Sequence, residues 1–202
     1  MRRIGALIFP GFELLDLFGP LEMFGLLKDE FEICMVAEGE GAVPSSQGPK
    51  AIADVTYETG AKYDLVLIPG GRGARREVEN PAALSWLKKV QSDAELMLSV
   101  CTGSALLAKA GLLDGLQATT NKAAFDWVAG QGPNVKWVKK ARWVRDGVYF
   151  TSSGVSAGMD MSLAAIAHLL GIETAEQVAI WAEYDWHQDP DWDPFAAIHG
   201  LV

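Results

Sequence analysis

The chain has 202 residues, half of them hydrophobic and 21% charged, which is typical of a globular protein and excludes a disordered one. Its 17 basic and 26 acidic residues give a net charge of −9, which argues against nucleic acid as a partner, because phosphate binding needs a basic face. No apolar run reaches about 18 residues, so we expect no membrane-spanning helix and no membrane partner.

The cysteine content predicts the compartment. The chain has two cysteines, Cys34 and Cys101. The first apolar run ends at Pro10 without a small-residue cleavage site, so we interpret it as a strand and not as a signal peptide. We therefore expect a reduced, cytoplasmic protein with no structural disulfide.

Strands and helices alternate in the first half of the chain. Continuous apolar runs predict buried strands, whereas periodic apolar residues and capping pairs predict helices. Strands are predicted at 4–9, 31–37, 64–68 and 96–100. Helices are predicted at 14–27, after the Asn80-Pro81 capping pair, and at 103–110 with Gly111 at the C′ position. Gly19-Pro20 should kink or restart the first helix, and residues 39–50 should form a loop or a short hairpin.

The second half adds a hairpin and two helices. The hairpin is predicted from 141–144 and 148–151 around the turn 145–147, and the helices at 156–170 and 174–184, with Thr174 as a possible cap. An aromatic, proline-punctuated tail covers 186–202. Because no repeat or linker is visible, we predict one domain over 1–202. The alternation predicts an α/β fold with a mostly parallel sheet and right-handed crossovers.

Cys101 lies where a predicted strand turns sharply into a helix. This position is typical of a nucleophile elbow, with sulfur in place of the serine oxygen. The helix N-terminus should favour a thiolate, so we expect the pKa of the thiol to fall. A buried, inert cysteine is the alternative, and Cys34, in the middle of a strand, fits that description.

Three turns should meet at one edge of the sheet, because sites in open α/β sheets form beyond the carboxyl ends of the strands. They are 10–16, 69–73 and 101–103. Asp16 is the candidate acid or base. As a carboxyl group among leucines, it is either a solvated cap or a desolvated group with a raised pKa, and Glu13 is its nearest competitor.

The remaining polar groups leave alternatives open. Gly70 and Gly71 could direct two N–H groups at a developing anion, or they could form an ordinary tight turn. Thr102 could place its hydroxyl beside the thiol or cap the helix. No histidine follows a strand-to-helix turn, although cysteine hydrolases normally need one, and we expect His168 to be structural. No metal-ligand spacing, P-loop or dinucleotide fingerprint is present, so we expect no metal and no cofactor.

These residues resemble the ThiJ/PfpI superfamily, the class I glutamine-amidotransferase-like group, over essentially the whole chain. The markers are FPGFELLDLFGP at 9–20, DLVLIPGGRG at 64–73, SVCTGSALLAKAGLLDG at 99–115, ATTNKAAFDW at 118–127 and SSGVSAGMDMSLAAI at 152–166. Leu15-Asp16-Leu17 and the sequence around Cys101 are most similar to the isonitrile hydratase branch. They are also similar to the ligand-sensing domains of AraC-type regulators. The resemblance implies a three-layer sandwich with a flavodoxin-like central sheet.

The resemblance also implies roles. Cys101 would be the nucleophile that attacks an isonitrile carbon, and Asp16 the acid/base that protonates it, giving an N-substituted formamide. Thr102 would join the polar lining of the site. The candidate substrate-binding residues are Gly70, Gly71, Arg72, Gly103 and Asn121. A small-molecule substrate and a homodimer with the site near its interface are implied as well.

The chain departs from related branches at two positions. Peptidase and deglycase branches commonly carry histidine directly after the cysteine or further along, where this chain has Thr102 and Asn121, so a Cys-His peptidase or amidotransferase is disfavoured. Isonitrile hydratase-like members often have Thr-Thr-His-Trp where this chain has Thr-Thr-Asn-Lys. The first hypothesis is a hydratase acting on a small electrophile. The alternatives are a redox sensor with an oxidisable cysteine, a regulator-derived ligand domain, and an elbow kept only as part of the fold.

Overall fold

The computed structural model describes residues 1–202. Its strands are β1 (Arg2–Leu7), β2 (Phe31–Ala37), β3 (Ala42–Pro44), β4 (Lys50–Ile52), β5 (Val55–Thr56), β6 (Leu65–Ile68), β7 (Leu96–Ser99), β8 (Gln117–Ala118), β9 (Lys136–Trp137), β10 (Trp143–Asp146) and β11 (Tyr149–Ser152). Its helices are α1 (Leu14–Gly25), α2 (Ala74–Glu77), α3 (Pro81–Gln91), α4 (Ser104–Lys109), α5 (Phe125–Ala129), α6 (Ala157–Leu170), α7 (Ile172–Trp181) and α8 (Phe195–Ile198).

Seven strands form the central sheet in the order β10-β11-β7-β6-β1-β2-β5. Every neighbouring pair is parallel except β10 and β11. Helices α1, α6 and α7 pack together, and α3, α4 and α5 form a second group. The predicted α/β class, with helices on a mostly parallel sheet, is therefore confirmed.

The centre of the sheet is buried on both faces. All four residues of β6 and all four of β7 are buried. Because helices cover both faces of a parallel sheet, its strands carry continuous apolar runs and not alternating ones. This is why the short runs LVLI and LMLS are correctly predicted as strands.

Helix α1 continues through Gly19-Pro20. The prediction that the helix would restart at Pro20 is therefore wrong. Both residues are buried, and a Cβ on Gly19 would lie 2.9 Å from Cγ of Met159 on α6. Glycine is therefore needed here for close packing of α1 on α6.

Other boundaries are confirmed or corrected by their hydrogen bonds. Oδ1 of Asn80 accepts from the N–H groups of Ala82 and Ala83, so the predicted cap of α3 is confirmed. The predicted cap at Thr174 is wrong. Helix α7 begins two residues earlier, and the Thr174 hydroxyl donates to the carbonyl of Leu170. The hairpins β3–β4 and β10–β11 both form, whereas α2, α5, α8, β5, β8 and β9 were not predicted.

Residues 186–201, which we call the C-terminal strap, cross back over the molecule. Asp160 on α6 holds the beginning of the strap. Its carboxylate accepts from the backbone N–H of His187, and its carbonyl accepts from the Trp186 indole. The same carboxylate pairs with Arg142 at 2.6 Å, and both side chains are at most 5% exposed. No helix of the chain is long and apolar enough to cross a bilayer.

Asp160→Asn should destabilise the fold, because it leaves the buried guanidinium of Arg142 without its negative partner. We expect a loss of about 3 kcal/mol in the free energy of unfolding, measured by urea denaturation. The control is Asp29→Asn, an exposed acid in the turn before β2, which should change stability by less than about 0.5 kcal/mol. Equal stability of the two variants would show that the buried pair of Arg142 and Asp160 does not stabilise the fold.

Candidate active site

The three predicted turns do meet. Strands β1, β6 and β7 are consecutive in the sheet, so their carboxyl ends lie side by side. The N–H of Glu13, after β1, donates to the carbonyl of Gly70, after β6, at 2.9 Å. The N–H of Gly70 donates to Oδ2 of Asp16, also at 2.9 Å. The predicted site edge is therefore a connected hydrogen-bonded structure.

Cys101 occupies a strained elbow, as predicted. It begins a single 3-10 turn between β7 and α4, and its φ is +56°, a conformation that few residues other than glycine adopt. Its carbonyl accepts from the hydroxyls of Thr120 at 2.8 Å and Ser104 at 3.1 Å, and its N–H donates to the carbonyl of Ser153 at 3.2 Å. These three bonds hold the strained backbone in place.

The Cys101 thiol is nearly enclosed, with the residue 6% exposed. The Asp16 carboxyl and the backbone N–H groups of Thr102 and Val155 are close enough to shift the pKa of the thiol. Burial and the negative charge of Asp16 outweigh the two N–H groups and raise the pKa of the thiol well above its ordinary value. The expectation of a lowered pKa is therefore wrong, since it counted the helix N-terminus but not the neighbouring carboxyl.

Asp16 was expected to be either a solvated cap or a desolvated carboxyl group, and the structure shows the desolvated group. It is fully buried, and burial, followed by the charge of Glu13, raises its pKa well above the ordinary value. Its Oδ1 accepts no hydrogen bond from an N–H or O–H group. Glu13 caps α1 instead, because its carboxylate accepts from the N–H of Asp16 at 2.8 Å and from the Gln47 amide. Glu13, the other candidate for the acid or base, is therefore engaged in capping the helix.

Together, Cys101 and Asp16 form a coupled acidic pair. Asp16 raises the pKa of the Cys101 thiol, because a thiolate and a carboxylate that are close together and away from water repel strongly, whereas burial and Glu13 raise the pKa of Asp16 and the thiol lowers it. A state in which both groups are charged is therefore disfavoured. When Asp16 holds its proton and the thiol has lost its own, the site holds a thiolate beside a carboxylic acid.

The Gly70 and Gly71 amides are both occupied. Gly70 donates to Asp16, and Gly71 donates to the Thr102 hydroxyl at 3.0 Å, so neither N–H is free to bind a developing oxyanion. A Cβ on Gly70 would lie 2.5 Å from the Thr102 nitrogen, and Gly71 has a φ of +123°. These glycines allow the turns after β1, β6 and β7 to approach one another closely. Gly103 packs in the same way against the carbonyl of Ile68.

The other predicted residues lie outside the pair. Arg72 is exposed, and its N–H donates to the Ser46 hydroxyl. Asn121 caps the turn before α5 by accepting from the N–H of Ala124, and it lines a cavity of about 230 Å³. His168 is exposed on α6 beside Arg145, with 3.0 Å between Nε2 and Nη2. No group of three or more histidine, cysteine, aspartate or glutamate side chains is placed to hold a metal ion.

Val155 is the site residue that sequence reasoning missed. It has a φ of +50°, a genuine outlier for a β-branched residue, and its backbone N–H is close enough to the Cys101 thiol to shift the pKa of that thiol. Nothing in the sequence around Val155 indicates that its backbone approaches Cys101. The approach follows from the pairing of β7 with β11, which brings the loop after β11 to the elbow.

The profile of the DJ-1/PfpI family matches residues 2–168. The chain belongs to the DJ-1/PfpI family. It is 36% identical over 182 residues to isonitrile hydratase from Pseudomonas putida, an alignment that covers 90% of this chain and 78% of that protein. A crystal structure of a THiJ/PfpI family protein from Pseudomonas syringae superposes with a TM-score of 0.85 at 32% identity, covering 100% of this chain and 86% of that one.

Members of the DJ-1/PfpI family differ in what they do. The HTH-type transcriptional regulator CdhR of Pseudomonas aeruginosa is 30% identical over 177 residues, which are 86% of this chain but only 52% of that protein. Enzymes and regulators therefore share this fold, and the choice between them depends on the site.

The Cys101 thiol should titrate above the value of about 8.5 for a free cysteine. Asp16→Asn removes the adjacent negative charge, so it should move the titration to lower pH. The measurement is the alkylation rate by iodoacetamide as a function of pH, read at the Cys101 peptide by mass spectrometry. A profile that does not move in Asp16→Asn, or moves to higher pH, would contradict the coupled pair.

Proposed function

We propose that this protein hydrates a small carbon electrophile of the isonitrile type. The observation that carries the proposal is the buried pair of Cys101 and Asp16, which places the thiol of a strand-to-helix elbow close to a desolvated carboxyl group. The similarity to the Pseudomonas putida isonitrile hydratase supports the same assignment.

The occupied glycine amides favour this chemistry over acyl transfer. Acyl transfer places negative charge on a carbonyl oxygen and depends on free N–H donors around it. Attack on an isonitrile places the charge on carbon, where a proton donor is needed instead. Asp16 is such a donor, and the N–H groups of Gly70 and Gly71 are already engaged.

In the first step, the proton of the pair resides on Asp16 and the Cys101 thiolate attacks the terminal carbon of R–N≡C. The new bond joins sulfur to carbon, and the carbon lone pair takes the proton from Asp16. The product is a thioformimidate, R–N=CH–S–Cys. The N–H groups of Thr102 and Val155 stabilise the thiolate before attack.

In the second step, the Asp16 carboxylate takes a proton from water as the oxygen adds to the same carbon. The proton passes to nitrogen, and the tetrahedral intermediate expels sulfur, which takes back the hydroxyl proton. The net reaction adds one water to R–N≡C and releases the formamide R–NH–CHO. Because no electrons are gained or lost, the balance needs no redox cofactor.

Purified protein should convert a neutral alkyl isonitrile to its formamide, detected by mass spectrometry. Cys101→Ala should abolish turnover, and Asp16→Asn should lower the rate constant by roughly 10²–10⁴-fold, the usual contribution of general acid–base catalysis. The matched control is Cys34→Ser, which alters a buried cysteine in β2 and should keep the wild-type rate. Equal rates in wild type and Cys101→Ala would end the proposal.

A redox sensor is the alternative function, and the site supports it less well. Oxidation to sulfinic acid follows thiolate character and exposure, whereas this thiol is buried with a raised pKa. We therefore expect intact mass after mild peroxide to show Cys101 reduced. A stable gain of two oxygen atoms at Cys101, in protein that turns over no isonitrile, would favour the sensor.

The homodimer, the cytoplasmic location and the single domain stay predictions.

A further inference from the structure

The C-terminal strap lies beyond residues 2–168, which the family profile matches. A buried ion pair fixes it. Nζ of Lys122 lies 3.1 Å from Oδ2 of Asp193, and the two side chains are 2% and 1% exposed. Oδ1 of Asp193 also accepts from the N–H of Phe195 at 2.8 Å. One carboxylate therefore ties the strap to the loop after β8 and sets the start of α8.

Aromatic contacts fix the middle of the strap. The His187 ring stacks on Trp192 with 4.2 Å between centroids, and the Arg142 guanidinium lies 5.2 Å from the Trp192 centroid. The N–H of Arg142 donates to the carbonyl of Pro190. Since Arg142 also pairs with Asp160, the strap is anchored at its beginning, through Trp186 and His187, and along its middle as far as Asp193.

A cavity of about 230 Å³ separates the strap from the loop 153–156. Phe195 and His199 line it from the strap, and Asn121 and Val155 line it from the other side. Ser153, which also lines the cavity, accepts from the backbone N–H of Cys101 at 3.2 Å, so this loop contacts both the cavity and the elbow, while Cys101 itself does not line the cavity. The volume is below the roughly 300–1,000 Å³ of typical ligand sites, which indicates a small occupant.

The chemistry of the cavity favours a neutral occupant. Lys122 lines it, but its ammonium is paired with Asp193 and donates to the Thr119 hydroxyl at 2.7 Å. Phe195 presents the largest apolar surface in the lining and is 45% exposed. An alkyl or aryl group entering here would remove part of that surface from water.

We propose that Phe195 is a specificity-determining residue, which limits the size of the neutral substituent that this cavity admits when a substrate reacts at the neighbouring Cys101 elbow. This rests on the proposed hydration of isonitriles. Asp193 and Lys122 are its positioning residues, because their ion pair fixes the backbone from which Phe195 projects. Ile198, on the same short helix, is 72% exposed and does not line the cavity.

The test compares wild type with Phe195→Ala, Phe195→Trp and the control Ile198→Ala. Two readouts are taken for each. The first is kcat/KM for a naphthyl isonitrile relative to methyl isonitrile. The second is the rate of Cys101 alkylation by an N-naphthyl iodoacetamide relative to iodoacetamide, located by peptide mass spectrometry, which needs no turnover.

Phe195→Ala should raise both bulky-to-small ratios about tenfold, Phe195→Trp should lower them, and Ile198→Ala should leave them unchanged. If no variant turns over an isonitrile but the alkylation ratios move as expected, the proposed function is wrong and the role of Phe195 in admitting ligands stands. If the ratios of Phe195→Ala equal those of wild type, or Ile198→Ala moves them equally, the role of Phe195 is refuted.

Discussion

The site depends on one constraint, which is that Cys101 and Asp16 cannot both carry a charge. Their contact excludes water, so the repulsion between a thiolate and a carboxylate is not screened. A raised pKa in an isolated cysteine would mean a poor nucleophile. In this pair a thiolate is favoured only when Asp16 is protonated, and this is the state that the proposed hydration uses.

The rest of the architecture keeps this pair in place. The left-handed backbone at Cys101 costs free energy, and hydrogen bonds with Thr120, Ser104 and Ser153 hold it. Ser104 begins α4, whereas Thr120 follows β8 and Ser153 follows β11, so two of the three bonds join the elbow to distant segments. The C-terminal strap then closes the far side of the same loop cluster through the pair of Lys122 and Asp193.

Local signals predicted the fold where they were not opposed by packing. The apolar runs of β6 and β7, the Asn80 cap and the Cys101 elbow are set within a few residues of the chain, and all are confirmed. The restart at Pro20 is contradicted, since α1 is one helix, and the kink stays a prediction. The cap at Thr174 was wrong because Gly171, with a φ of +94°, precedes a helix that begins at Ile172. The two-residue strands β8 and β9 have no periodicity that could be recognised.

The sequence by itself determined the class of the sheet, the three turns at its edge and the two residues of the candidate pair, Cys101 and Asp16. It did so because strand periodicity, glycine-rich turns and a strand-to-helix cysteine are local features. Only the tertiary structure decided the burial of the pair, the engagement of the Gly70 and Gly71 amides, the approach of Val155 and the course of the strap. Each of these depends on burial or on contacts between segments far apart in the chain, and neither can be seen in the order of the residues.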